Sequence, residues 1–372
     1  MSIFERSWVV GLGALGAAVL ALGCGSGESA APEAAPQETS KAKLPKPIDA
    51  VALQARAKAV FGTLPKEVPN PDNPFSEEKI KLGRMLYYDT RFSRANDISC
   101  NSCHPLDRYG ADGEPTSPGH EGQRGERNSP TVYNAALHIA QFWDGRAATV
   151  EEQAKGPLTN PVEMAMASDE DVVARLKSIP GYSPLFHAAF GNGDGSDAVT
   201  LDNMAKAIGA FERKLMTPGA FDAFLAGDTS ALTEPQLAGL KTFMDTGCIT
   251  CHAGPAVGGG MFQKLGLVKP YGTSDPGRFA VTGNEADRGV FKVPSLRNVA
   301  QTAPYFHDGS IETLDQAIRI MAEHQLGVTL EPEQVASIRT FLTTLTGNVD
   351  PLYTAKPKLP KNGPAASKPN PS

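Results

Sequence analysis

Cys100-Asn-Ser-Cys103-His104 and Cys248-Ile-Thr-Cys251-His252 each place two thiols and an imidazole within five residues. Three chemistries begin with Cys-x-x-Cys: zinc ligation, dithiol exchange and covalent haem attachment. A zinc ribbon brings its second cysteine pair roughly 15–20 residues after the first, whereas most of a domain's length separates Cys103 from Cys248. A thioredoxin-like dithiol belongs in a βαβ context, and period-two strand patterns are scarce in this chain. The histidine after the second cysteine discriminates. Two cysteines three apart on one helical turn can form thioethers with the two vinyl groups of a haem, and the next residue turns its imidazole towards the iron. Cys-x-x-Cys-His is the attachment signal of haem c. The pattern implies two covalently bound haem c groups on Cys100, Cys103, Cys248 and Cys251, with His104 and His252 as proximal iron ligands.

The far face of each iron decides what it does. Methionine opposite histidine raises the potential, and an open or exchangeable position admits chemistry. The other histidines are His120, His138, His187, His307 and His324, and methionines are numerous, so spacing does not choose among them. Met321 falls on an apolar stripe with Leu314, Ala317 and Ile318, the pattern of a core methionine filling a gap. Met261, shortly after His252, is a rival ligand.

Helices must deliver the two motifs. Ser76 reads as an N-cap with Phe75 and Ile80 in staple positions, and Ile80, Gly83, Leu86 and Tyr87 share a face. Thr233 and Gln236 match a capping box, Leu232 and Leu237 a staple, and Leu237, Leu240, Phe243 and Met244 a buried stripe that Gly247 can end. A helix leading into Cys-x-x-Cys-His, twice, predicts two related domains meeting between 217 and 230. Further helices are predicted at 168–178, 200–215, 312–322 and 332–345. The 37 glycines and 30 prolines mark long connections. The expected fold is mostly α with long loops.

At 372 residues the chain is long for a single domain, and a net charge of −6 argues against nucleic acid, which demands a basic footprint. Arg6 and the apolar run Val9–Leu22 read as an export signal, too short for the ~20 residues of a membrane span. Gly23-Cys24 suggests a lipoprotein signal, with Cys24 carrying the lipid; Ala21, where leucine is more usual, keeps an ordinary secretory signal open. The expected location is periplasmic, with membrane contact only through such an anchor. The fifth cysteine is thereby accounted for, and none remains for a disulfide framework.

In chain order, CNSCHPLDRYGADG, SPGHEGQ, NSPTVYNAAL, AQFWDGRA, EEQAKGPLTNPVEM, GCITCH, GRFAVT, PSLRNVAQTAPYFHDG and IMAEHQLG resemble the bacterial di-haem cytochrome c peroxidases, in the wider group that contains the MauG proteins. The resemblance covers roughly residues 60–346. It implies two class I cytochrome c-like haem domains. The resulting division is a signal peptide at 1–23, a flexible linker at 24–50, a peroxidatic haem c domain at 51–216, an electron-transfer haem c domain at 217–350 and a disordered tail at 351–372.

The resemblance also implies roles. His120, in a glycine-flanked loop, matches the histidine that closes the far side of the first haem. Glu163 matches the distal acid/base, and Gln153 its polar companion. Met321 matches the axial ligand of the second haem, which overrides the core reading. Trp143 matches the residue on the electron path. Asn128 and the carbonyls of Thr302 and Pro304 match a site for one Ca2+, all oxygen donors as a hard cation prefers. His307 is expected near the second haem as a structural or electronic residue rather than a ligand. The implied reaction is reduction of hydrogen peroxide to water with electrons from a monohaem cytochrome c or a cupredoxin, by a homodimer. A pure electron carrier is one alternative, with no use for Glu163. A MauG-like protein oxidase is another, but that type carries tyrosine where Met321 falls.

Overall fold

The computed structural model describes residues 47–191 and 197–363. Helices joined by long loops make up the described residues. The only strands among the described residues are β1 (Phe262–Lys264) and β2 (Val290–Lys292), an antiparallel pair with Gln263 opposite Phe291. No helix among the described residues is long and apolar enough to cross a membrane.

Each Cys-x-x-Cys-His motif follows a capped helix. Ser76 Oγ accepts the Lys79 amide at 3.1 Å and starts the helix Glu77–Tyr88. That helix buries Leu82, Gly83, Leu86, Tyr87 and Tyr88, while Ile80, expected on the same face, is only partly covered. Gln236 Oε1 accepts the Thr233 amide at 2.9 Å at the start of the helix Glu234–Thr246. Gly247, at φ +99°, ends it in the left-handed region that glycine reaches without strain.

Both helices cross a partner at a glycine. A Cβ on Gly83 would lie 1.9 Å from the Ala207 carbonyl oxygen in the helix Leu201–Glu212. A Cβ on Gly239 would lie 2.1 Å from the Ser337 carbonyl oxygen in the helix Pro332–Leu342. Four residues beyond each glycine, on the same face, an aromatic ring packs on the partner helix. Tyr87 meets Phe211 at 5.6 Å between centroids, and Phe243 meets Phe341 at 5.3 Å. The same crossing is used twice.

The predicted helices are found as Asp169–Lys177, Leu201–Glu212, Leu314–Leu326 and Pro332–Leu342. Helices not anticipated include Ala50–Phe61, Tyr182–Phe190 and Ala220–Ala226, besides several of a single turn. Tyr182–Phe190 contains Pro184, which a first turn tolerates because its N–H would be unpaired there. Ala220–Ala226 lies where a connection between domains was expected.

The expected boundary at 216/217 is crossed at both ends of the described chain. The helix Ala50–Phe61 buries Leu53, Ala57 and Phe61, a stripe with helical spacing. That stripe joins the core of Phe221, Phe243 and Phe341, with Phe61 stacked edge-on to Phe221 at 5.2 Å. It therefore packs with residues beyond 217, not with the 51–216 segment to which it was assigned. Its first residue, Ala50, also shortens the expected linker.

The expected tail begins with a helix, Pro351–Thr354, and then lies along the first core. Tyr88 Oη donates to the Tyr353 carbonyl at 2.9 Å, Arg84 to the Ala355 carbonyl at 2.5 Å, and the Tyr353 ring packs edge-on to Phe211. Backbone carbonyls and the Tyr353 ring together anchor this proline- and lysine-rich segment. Residues 364–372, the 1–23 signal and Cys24 lie outside the described residues.

Alanine is the better intrinsic helix former by about 1 kcal/mol, yet overpacking at a closed contact costs about 1–3 kcal/mol. Gly239→Ala and Gly83→Ala are therefore expected to lower the thermal midpoint. Unfolding followed by circular dichroism checks this; a raised midpoint would contradict the close crossing.

Candidate functional site

The first motif forms the short helix Cys100–Cys103, with the Ser99 amide donating to Ser102 Oγ at 3.0 Å. The His104 amide donates to the Cys100 carbonyl at 2.9 Å, and the His252 amide to the Cys248 carbonyl at 3.0 Å. This one-turn geometry brings the histidine back over its cysteines. Tyr87 Oη donates to the His104 carbonyl at 2.7 Å, which ties the motif to the preceding helix.

Both imidazoles are held from behind. His104 Nδ1 lies 3.3 Å from the Gly110 carbonyl, and His252 Nδ1 lies 3.4 Å from the Val257 carbonyl. A carbonyl can only accept, so Nδ1 carries the proton and Nε2 keeps its lone pair. Burial lowers the pKa of both, His252 to about 4. Each is a neutral imidazole at pH 7, the form that binds iron.

The four motif cysteines form no disulfide. Burial pushes Cys100 up to about 12 and Cys103 and Cys248 up to about 11, and it raises Cys251 too. A reactive dithiol wants the opposite, a depressed thiol pKa. Paired thiols kept protonated beside a neutral histidine fit thioether attachment of haem.

On the first site, His120 is buried in a tight turn closed by the Pro118–Arg124 bridge. The turn docks on the segment that carries Glu163: the His120 amide donates to the Glu163 carbonyl at 2.9 Å. Gly119 makes the docking feasible, since a Cβ there would lie 1.8 Å from the Val162 carbonyl oxygen. Burial raises the Glu163 pKa, against the opposing pull of Arg146 and of a hydrogen bond with Asn160. The Glu163 charge is felt at both first-motif thiols, each raised by burial first and by this carboxylate among lesser causes. A hydrogen bond thus joins the His120 turn to the Glu163 segment, whose carboxylate acts on the thiols of the first motif.

Gln153 ends the short helix Val150–Gln153 and is partly buried. Sequence reading passed over its neighbour Glu151, which anchors that helix. Arg213 donates to Glu151 through Nε at 2.7 Å and Nη2 at 2.8 Å, and Asn73 adds a bond at 3.1 Å. Two acidic residues in a row give no signal as to which is buried; a distant arginine decides it.

On the second site, Cys248, Cys251, His252 and Met321 line one cleft enclosing ≈ 1650 Å³ of space, part of it open to solvent. Met261 is not among its walls. The same cleft is walled by Trp143, His307, Asn128, Thr302 and Pro304. Trp143 Nε1 donates to the Asn128 carbonyl at 2.9 Å, and its ring meets His307 edge-on at 6.4 Å. His307 Nε2 lies 3.0 Å from Thr273 Oγ1. Asn128 Nδ2 donates to the Glu114 and Pro115 carbonyls at 3.0 and 3.3 Å, which leaves Oδ1 as its free donor atom for a cation. The Trp143 loop is clamped by Arg127, which holds Asp144 at 2.6 Å and Asp275 at 2.7 Å. Of the remaining histidines, His187 is exposed and His324 Nδ1 bonds the Lys269 carbonyl at 2.9 Å.

Residues 77–230 match the family model described as di-haem cytochrome c peroxidase. The chain is 47% identical over 302 residues to the cytochrome c551 peroxidase of Nitrosomonas europaea, covering 80% of this chain and 88% of that one. This chain belongs to the di-haem cytochrome c peroxidase family. The cytochrome c551 peroxidase of Pseudomonas aeruginosa is likewise 47% identical over 303 residues, 80% of this chain and 87% of that one. Among solved structures, a MauG-like protein associated with microbial copper homeostasis is similar at a TM-score of 0.68 and 30% identity, covering 83% of this chain and 97% of its own. Two haem c groups come with membership of the family.

Burial would raise the Glu151 pKa, but the hydrogen bonds from Arg213 and Asn73 outweigh it and hold it at about 2. An unfolded glutamate titrates near ~4.3, so this pair stabilises the fold above that pH and the contribution is lost as pH falls towards 2. Glu151→Gln is expected to be less stable at pH 7 and to show a flatter acid limb. Urea midpoints between pH 2.5 and 7 read both; parallel curves would contradict the pairing.

Proposed function

We propose that this cytochrome c peroxidase divides its labour, with the first haem reducing hydrogen peroxide to water and the second storing an electron taken from a donor cytochrome. The observation that carries the division is the unlike surroundings of two like motifs. A buried histidine turn docked on a carboxylate segment neighbours the first; a methionine shares the cleft of the second.

Each half is read as a class I cytochrome c-like haem domain, supported by the repeated glycine crossing ahead of each motif. Cys100 and Cys103 would hold the first haem, with His104 and, until it is displaced, His120 as ligands to its iron. Cys248 and Cys251 would hold the second, with His252 and Met321 as ligands to its iron. When bound, the two haems would supply the iron site for peroxide and the two electrons that split the O–O bond, one from each. Reduction consumes two electrons and two protons per peroxide and releases two waters.

The chain's part is to move the protons. Glu163, ionised, accepts a proton from the near peroxide oxygen and returns it to the departing one, with Gln153 as its polar companion. Burial supports that role, because a raised pKa brings the carboxyl nearer the working pH. The Met321 thioether favours the ferrous state of the second haem, as an electron store needs. Trp143, clamped by Arg127 through Asp144, is assigned to the electron path. Asn128 Oδ1 and the carbonyls of Thr302 and Pro304 would bind one Ca2+, which would stiffen the cleft wall.

A small c-type cytochrome or a cupredoxin would be the donor. A periplasmic location, lipidation at Cys24 and a homodimer are also proposed, on the sequence signal and the family resemblance alone.

Removing a general base typically costs 10²–10⁴-fold in rate. Glu163→Gln is expected to lose about that much kcat for peroxide with reduced cytochrome c while both haem spectra are retained. The wild-type rate should also fall on the acid side through a pKa above the ~4.3 of an ordinary glutamate, and the variant should lack that limb. Equal rates for the two proteins would defeat the assignment.

A further inference from the structure

We propose that Lys292, backed by His138, is the anion receptor of the second cleft and takes a propionate carboxylate of the haem bound there. The inference rests on the haem reading of that cleft and assigns a binding role to two residues that had none.

Lys292 ends β2 and is 6% exposed, its backbone fixed by the Lys292 amide donating to the Trp143 carbonyl at 2.8 Å. Its ammonium has one polar partner among the described residues, His138 Nδ1 at 3.4 Å. His138 Nε2 is buried with no partner among them. Both side chains line the cleft that contains His252 and Met321.

Among the described residues, no neighbouring carboxylate is available to Lys292. Asp144 is bound by Arg127 at 2.6 Å and Arg146 at 3.1 Å, and Asp275 by Arg127 at 2.7 Å. Arg278, the other nearby cation, donates to the Asp144 carbonyl at 3.1 Å and covers the Phe262 ring. A buried ammonium without an acid is costly, so the cleft wants an anion.

Tautomer logic gives the anion's chemistry. His138 Nδ1 faces an ammonium, which only donates, so Nδ1 accepts and Nε2 carries the hydrogen. The pair then offers the cleft N–H donors and no acceptor, which suits a carboxylate. Burial lowers Lys292 to about 8 and pushes His138 well down, so at pH 7 the charge rests on the lysine. A small solute anion has the same chemistry as a propionate, and the test separates the two.

The midpoint potential of the second haem is measured by spectroelectrochemistry in the holoprotein, for wild type, Lys292→Gln and Lys292→Arg, with chloride varied at constant ionic strength. Losing the cation should lower the reduction equilibrium constant about tenfold, which is about 59 mV for one electron. Lys292→Arg should keep most of the wild-type value, and chloride should have no effect. A Lys292→Gln chain that loses the second haem while Lys292→Arg keeps it would also support the receptor. An unmoved potential with two haems present overturns it, and a chloride-dependent wild-type potential hands the site to a solute anion. Haem content by absorbance and mass separates these outcomes from failure of the haem reading itself, in which the wild type would carry only one haem.

Discussion

Two helices in this protein approach their partners so closely that a single methyl group would collide with a backbone carbonyl. The absence of a side chain at Gly83 and Gly239 sets where each helix delivers its haem motif. At the first crossing the consequence is direct: Tyr87, four residues on, reaches the His104 carbonyl and fixes the motif. At the second, Phe243 stands in the equivalent place, packs on Phe341 and brings its ring 6.5 Å from that of His252. The tyrosine adds a hydrogen bond that the phenylalanine cannot. The scaffold repeats, and the attachment to the motif differs.

Burial then sets the chemistry of the groups delivered. It keeps both imidazoles neutral and the thiols protonated, while backbone carbonyls hold Nδ1 and leave Nε2 for iron. The same burial raises Glu163, which suits proton transfer, and lowers Lys292, which makes an anion welcome. One physical cause thus acts on an acid and a base in opposite directions, because in each case it disfavours the charged form.

Much of the candidate site was legible in the chain. The Cys-x-x-Cys-His spacing names a haem ligand by local geometry alone, and caps such as Ser76 and Thr233 announce helices through bonds three residues long. Glu163, His120 and Met321 were legible only by resemblance, since a loop carboxylate, a loop histidine and a striped methionine look ordinary in isolation. Other features left no mark. Glu151 differs from Glu152 only because Arg213 lies opposite it, and nothing in the run around Lys292 marks that lysine as buried. Nor did the chain show that Ala50–Phe61 and the segment after Pro351 each pack on the half distant from them in sequence.

By itself, the sequence determined the mostly helical character and the two Cys-x-x-Cys-His motifs with the histidine that ends each, because each depends on contacts within a few residues. Tertiary structure decided which core each end of the chain joins, that the His120 turn docks on the Glu163 segment, that Met321 rather than Met261 lines the second cleft, and that Lys292 has only an imidazole for company. Those outcomes depend on burial and on partners far apart in the chain, and neither is written in any local run of residues.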